Sequence, residues 1–437
     1  MIVVESVCAT AARTLLPRRS RAAAKAGRVR EASLKGSPRM VVVLLVLLAA
    51  TSLITGQTTD APIKIGFMVP LSGAYVQNGR DILNGFLLYL DEIGYKAGGR
   101  QLKLIVEDDE AIPATGLTKA RKLVERDQVD VMAGTLLTST GYALAPYIES
   151  AQIPMIYPVS SADDLTQRRR SKWIVRTGWT ASQPNHPFGE YAYHTLGLRT
   201  VATIALDYGF GWESVGGFKR TFEEQGGRIT KELWAPVSVH DFAPYLAQVP
   251  RDVDAVYTLV LGRAALQFMR QYEEFGLKGR VALIGGGTST DEHALPFMGD
   301  EAIGAITALH YSAALDNPAN RKFAAAYRAR FNKAPSYYSE SMYTGGKWLV
   351  AAIEALHGHV ENHEALLDAL RKARVTDAPR GPVSLDEFGS PIQNVYVRKV
   401  ERVNGELQNV VIDTFPNVSQ FWKYNPADYL KQPLYSR

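Results

Sequence analysis

From residue 63 onward, short runs of β-branched and apolar residues alternate with longer amphipathic stretches, and this alternation restricts the fold more than any other feature. IKIGFMV (63–69) reads as a buried strand. The next segment spaces Ile82, Phe86, Tyr89, Leu90 and Ile93 at helical intervals, with Arg80, Asp81, Asp91 and Glu92 as the polar complement. QLKLIVED, a helix over about 115–126, VDVMAG, a helix from 138 and IPMIYPV follow in order. Strand and helix repeated in this way build a parallel sheet covered on both faces.

The pattern then restarts. A turn-rich passage at 176–187 leads to a helix, then to TVATIALD (200–207), a helix to about Gln225, RITKELWA, DAVYTLV, a helix from about Arg263 to Phe275, and VALIGG. Two such series, in a chain of 437 residues, predict two α/β lobes. The expected boundaries are a first lobe over 62–178, a second over 179–306 and a return to the first over 307–400, with helices near 318–332 and 341–357. A hairpin and tail at 401–437 are assigned to the second lobe and hinge. The hairpin signal is VNGE between NVYVRKVER and LQNVVIDT, because Asn-Gly suits a tight two-residue turn.

The net charge of +5 suggests a polyanionic partner until its distribution is counted. Residues 1–39 hold nine Lys/Arg against two Glu, which leaves 40 basic and 42 acidic side chains in the remainder. A body so near neutrality lacks the positive field that nucleic-acid binding needs. The apolar run at 41–54 fits the core of a secretory signal and is shorter than the roughly 20 residues that span a bilayer. Residues 1–61 are therefore expected to be a leader and export signal, cleaved after Gly56 or Ala61, with Met40 as an alternative start and a membrane anchor as the rival reading. Cys8, the only cysteine, lies in this leader, so the exported body is expected to carry no disulfide and no thiol chemistry.

Enzyme signatures are missing where they would be informative. PLSGAYVQNG after the first strand is not a dinucleotide fingerprint, and TGGKW (344–348) lacks the first glycine and the hydroxyl of a phosphate loop. GWESVG (211–216) has no glycine two residues before Ser214, so it is a poor nucleophile elbow. HEALLDAL has no second histidine at metal-binding spacing. No catalytic residue, metal or cofactor is expected.

Polar loops at strand ends remain, which is where open α/β sheets bind ligands. AGTLLTSTGYALAPY (133–147) places Thr138, Ser139 and Thr140 at the start of a helix, whose first N–H groups are unpaired and partially positive. One hydroxyl suffices to cap a helix, whereas three together suit a bound carboxylate. YPVSSADDL (157–165) repeats the device with Ser160 and Ser161, and DYGFGWE (207–213) ends its strand with Tyr208, Phe210 and Trp212 among glycines.

The series IKIGFMVPLSG, LKLIVEDDEAIPATGLTKARKLVERDQVDVMAG, IPMIYPVSSADDL, RTGWTASQ and IALDYGFGWE resembles the periplasmic substrate-binding proteins of branched-chain amino-acid type ABC transporters over about residues 62–400. The resemblance implies a type I periplasmic binding fold: two doubly wound parallel-sheet lobes joined by a three-strand hinge, closing on a small molecule and delivering it to an inner-membrane permease. It implies that Thr138 and Ser139 hold the ligand carboxylate, Ser160 a backbone contact and Ser161 a second hydroxyl contact. Tyr208 or Phe210 would be the aromatic residue of the second lobe, Tyr338 would line the pocket, and Asn78 stands where relatives often have tyrosine.

One position departs from that pattern. Amino-acid binders usually place an acidic residue after the strand matching VALIG to pair with the ligand ammonium, and here Gly287 stands there, with Asp291 and Glu292 four and five residues on. An unpaired buried ammonium costs several kcal/mol, or about the difference between useful and negligible affinity. The favoured ligand is thus an aromatic or aliphatic acid without an amine, with branched-chain amino acids next. A monomeric periplasmic receptor is expected; a ligand sensor of the same fold and, at a distance, a secreted α/β hydrolase are the alternatives.

Overall fold

The computed structural model describes residues 61–437, so the basic leader, the apolar segment and Cys8 lie outside the described residues. The first sheet contains β1 (Ile63–Val69), β2 (Lys96–Ala97), β3 (Arg100–Asp108), β4 (Val131–Gly134), β5 (Met155–Tyr157) and β6 (Ile174–Arg176), in the order β2-β3-β1-β4-β5-β6. Apart from the short β2, all its pairings are parallel. Ile63, Ile65, Phe67, Met68 and Val69 of β1 are fully buried, which is why this strand reads as an unbroken apolar run.

Its helices are α1 (Val76–Glu92), α2 (Pro113–Arg121) and α3 (Thr138–Ala151). The second sheet follows with β7 (Thr200–Leu206), β8 (Arg228–Ala235), β9 (Ala255–Leu259), β10 (Ala282–Gly286), β11 (Ile306–Leu309), β12 (Ser384–Leu385), β13 (Pro391–Val403) and β14 (Glu406–Val418). Its path runs β12-β13-β11-β10-β9-β7-β8, with β14 paired to β13. Helices α4 (Asn185–His194), α5 (Gly209–Glu224) and α6 (Arg263–Glu274) accompany this sheet.

The chain leaves the second sheet after Leu309 and adds α7 (Pro318–Phe331), α8 (Tyr337–Ala355) and α9 (His363–Lys372), which pack on α1 and β6 of the first lobe. It passes between the lobes after Arg176, after Leu309 and after Lys372, giving the two lobes and three connections expected of the type I fold. The return is shorter than the sequence reading of 307–400: both β11 and β13 belong to the second sheet, and only the helices between them go back. The reason is pairing, since β13 lies antiparallel between β11 and β14.

Two local features position the site. Helix α8 begins at Tyr337, not near 341, because the Ser336 side chain caps it by accepting from the Ser339 N–H and also donates to buried Asp81 on α1 at 2.7 Å. Helices α1 and α8 approach so closely at Gly85 that a Cβ there would stand 1.9 Å from the Ser339 carbonyl oxygen. Tyr337 and Tyr338 are thereby fixed beside the start of α1. In the tail, Val403 pairs with Glu406 across Asn404 (φ 51°) and Gly405 (φ 86°), the two-residue turn that VNGE predicts.

Candidate functional site

Both lobes turn the carboxyl ends of their parallel strands toward one another, so the loops after β1, β4 and β5 face those after β7, β9 and β10. Helix α3 starts directly at the hydroxyl run. Its cap residue is Leu137, whose side chain accepts nothing, so the Thr138 hydroxyl is not spent on capping. It lies 3.3 Å from the Ser161 hydroxyl instead, joining the loops after β4 and β5 in one buried polar spot. First-turn N–H groups of α3 add positive potential to the same place. Ser139 occupies the same turn and is partly exposed.

Ser160 behaves differently. Its N–H donates to the Thr135 carbonyl, its hydroxyl to the Leu137 carbonyl at 3.3 Å, and its carbonyl accepts from Arg176. The residue foreseen as a backbone contact is thus tied into the scaffold, because a fully buried Arg176 gathers the carbonyls of Ser160, Ala162 and Trp179.

Aromatic rings form the wall. Trp179 is its centre, with ring centroids 5.6 Å from Phe210, 5.9 Å from Tyr337 and 5.7 Å from His310. Tyr208 stands 5.9 Å from Phe210, and Tyr338 lies 3.9 Å from Tyr337 and 5.5 Å from the His293 ring. From the second lobe, the start of α5 meets the hydroxyl spot: a Cβ on Gly209 would be 3.3 Å from Thr138. Helix α6 opens at Gly262, beside Asn78 and Tyr75 of the first lobe.

Acidic groups surround this wall. Asp291 is fully buried and accepts from the His293 N–H at 3.0 Å and ring Nδ1 at 2.6 Å. Burial alone would lower the His293 pKa, but the hydrogen bond and charge of Asp291 outweigh it and raise the net value. The other face of that ring, Nε2, is 3.5 Å from the Asn78 amide. Glu213 on α5 accepts from the Tyr142 hydroxyl on α3 at 2.6 Å and from the Asp163 N–H at 3.2 Å. Among the described residues, no group of three His, Cys, Asp or Glu side chains is arranged to hold a metal.

The sequence pattern of the family described as periplasmic binding protein matches residues 62–406. The chain belongs to the periplasmic binding protein family. A curated relative, Leu/Ile/Val-binding protein homolog 6 of Brucella melitensis, is 30% identical over 384 residues, covering 86% of this chain and 97% of its own. A solute binding protein of an ABC transporter from Rhodopseudomonas palustris BisB5, solved with 3,4-dihydroxybenzoic acid, is 34% identical with a TM-score of 0.78, covering 82% of this chain and 98% of that one. Another from Rhodopseudomonas palustris HaA2, solved with p-hydroxybenzoic acid, is 30% identical with a TM-score of 0.78, covering 83% and 99%.

Within this periplasmic binding protein, Asn78, Thr138, Ser139, Ser161, Tyr208, Phe210 and Tyr338 lie on loops or helix starts that meet at the cleft. Gly287 is buried behind it: its carbonyl accepts from Arg398 at 2.8 Å, and a Cβ would come within 2.5 Å of that guanidinium and of Leu309. Sequence reasoning missed Trp179, Tyr142, Glu213 and His293. Trp179 sits in the quoted RTGWTASQ, where an aromatic between the lobes was the available signal. The Ser214 hydroxyl is buried in α5 and donates to the Ala181 carbonyl at 3.3 Å.

Proposed function

We propose that this chain is the extracytoplasmic receptor of an ABC importer, and that it binds a small aromatic carboxylate between its lobes. The observation carrying this reading is the 3.3 Å approach of Thr138 and Ser161, two hydroxyls from neighbouring strand tips beside the free N–H groups of α3. Both hydroxyls donate to one carboxylate, and the helix start stabilises its charge. The ligand body then lies among Trp179, Phe210, Tyr208, Tyr337 and Tyr338, whose ring faces suit a planar apolar group.

The environment of Gly287 speaks against an α-ammonium. No acidic side chain stands at Gly287, which lies behind the cleft with its open side filled by the Arg398 guanidinium, itself paired with Glu292 at 3.6 Å. Solute delivery to an inner-membrane permease, a periplasmic location and a monomeric state belong to this reading. A thermal-shift screen of aromatic acids, short aliphatic acids and branched-chain amino acids tests it, since a ligand bound only by the native form raises the melting temperature. Aromatic acids should give the largest shift; a shift with leucine and none with any aromatic acid overturns the reading.

A further inference from the structure

Asp291 is fully buried, yet its side-chain hydrogen bonds engage only one of its two carboxylate oxygens. One carboxylate oxygen is engaged by His293, but Oδ2 is buried and has no hydrogen-bond partner within the protein. The Tyr338 hydroxyl, on a fully buried side chain whose ring touches His293, has the Tyr337 hydroxyl and the Asn78 amide beside it but makes no hydrogen bond of good geometry to either. Buried polar atoms are nearly always paired, so an orphaned carboxylate oxygen beside a poorly bonded tyrosine hydroxyl marks a place where something else supplies the partner.

Resting on the carboxylate-binding reading above, we propose that Asp291 and Tyr338 form a second polar subsite that recognises a hydroxyl group on the far side of the ligand ring. Asp291 Oδ2 accepts the hydrogen of that hydroxyl, and the Tyr338 hydroxyl donates to its oxygen. His293 is the positioning residue: it fixes the Asp291 rotamer through two bonds and is itself braced by Asn78 and the Tyr338 ring.

Position separates this subsite from the carboxylate seat. Thr138 and Ser161 follow β4 and β5, whereas Asn78 follows β1, the strand on the other side of β4. Adjacent strands are about 4.8 Å apart, so the two polar ends are separated by roughly 5–10 Å, the reach of a benzene ring with substituents at both ends. The ammonium of an α-amino acid sits beside its carboxylate and cannot bridge that gap. Charge agrees: Asp291 already faces an imidazole whose proton affinity it raises, so a neutral donor is accommodated more readily than a second cation.

The experiment is calorimetric titration of the full chain with benzoate, 4-hydroxybenzoate, 3,4-dihydroxybenzoate and leucine, using wild type, Asp291→Asn and Tyr338→Phe. Wild type should bind a hydroxybenzoate at least about tenfold more tightly than benzoate, because a site built around a ligand hydroxyl rejects the analogue lacking it. Asp291→Asn and Tyr338→Phe should each shrink that ratio, chiefly through lost hydroxybenzoate affinity. Should Asp291→Asn fail to fold, Tyr338→Phe removes one hydroxyl only and decides the question. Equal wild-type affinities for the acids, or a ratio untouched by both variants, overturn the subsite but leave the carboxylate reading standing. Leucine binding lost in Asp291→Asn makes Asp291 an ammonium partner and overturns the subsite. Failure of every acid to bind overturns the carboxylate reading itself.

Discussion

The Tyr142 hydroxyl donates to Glu213 Oε1 across 2.6 Å, tying the helix that opens at the hydroxyl loop of the first lobe to the helix that opens at the aromatic loop of the second. Glu213 Oε2 accepts from the Asp163 N–H as well, so one side chain fastens both polar loops of the first lobe. These bonds exist only while the lobes meet. Tyr142→Phe is expected to weaken ligand binding about three- to tenfold, the value of one hydrogen bond of this kind, through faster dissociation in stopped-flow measurements. An unaltered dissociation rate would show that the bond does not stabilise the liganded form.

The same contact makes binding depend on pH. Burial, opposed by Ser182 and Arg176, raises the Asp163 pKa to about 6; burial and then the Asp163 charge push Glu213 well above the usual carboxylate range. Tyr142, Asp164 and Arg176 are the other ionisable groups around the pair. An acid with a raised pKa in the closed form stabilises that form fully when protonated, and the contribution is lost as pH rises through about 6. Ligand affinity should therefore fall as pH rises from about 4 through about 6, and Glu213→Gln should flatten the profile. A flat wild-type profile contradicts this.

Gly287→Asp puts an acid where amino-acid binders have one, yet gain of leucine binding is not expected. The new Cβ would meet Leu309 and the Arg398 guanidinium at 2.5 Å, within packed backbone. Overpacking of this kind costs about 1–3 kcal/mol, so the variant should melt earlier and still ignore leucine. Calorimetry showing tight leucine binding would refute the argument.

Arg380 joins the lobes at the hinge. Its fully buried guanidinium pairs with Glu340 of α8 at 2.8 Å and donates to the Thr177 and Gly178 carbonyls and to Gln393 of β13. Arg380→Ala strands a buried carboxylate and should cost about 3–5 kcal/mol in urea unfolding. A loss well below that would mean that water or another residue takes over the pairing.

Much of this architecture was legible because local pattern and tertiary role agree. Strands β1, β4, β5 and β6 are buried almost throughout, so they read as apolar runs; Asn404-Gly405 needs φ above zero at both positions, so it reads as a turn. The nearness of Thr138 and Ser161 was legible because their hydroxyl-rich loops follow neighbouring strands. Glu213 was not, since a glutamate on an amphipathic helix reads as solvent-facing until the other lobe arrives to bury it. Asp291 and His293 lie in a non-periodic loop, and only the meeting of α1, α8 and that loop gives them partners. The length of the return to the first lobe was misread because β13 carries no mark of the sheet that will pair with it.

Calorimetric titration of 4-hydroxybenzoate and benzoate into wild type and into the double variant Thr138→Ala/Ser161→Ala bears most directly on the shared carboxylate seat. Each hydroxyl contributes a hydrogen bond to a charged group, about 1.5–3 kcal/mol, so the double variant should lose roughly a hundredfold or more in affinity for both acids while retaining the wild-type melting temperature without ligand. Affinity for the acids equal to wild type in a folded double variant would contradict the account.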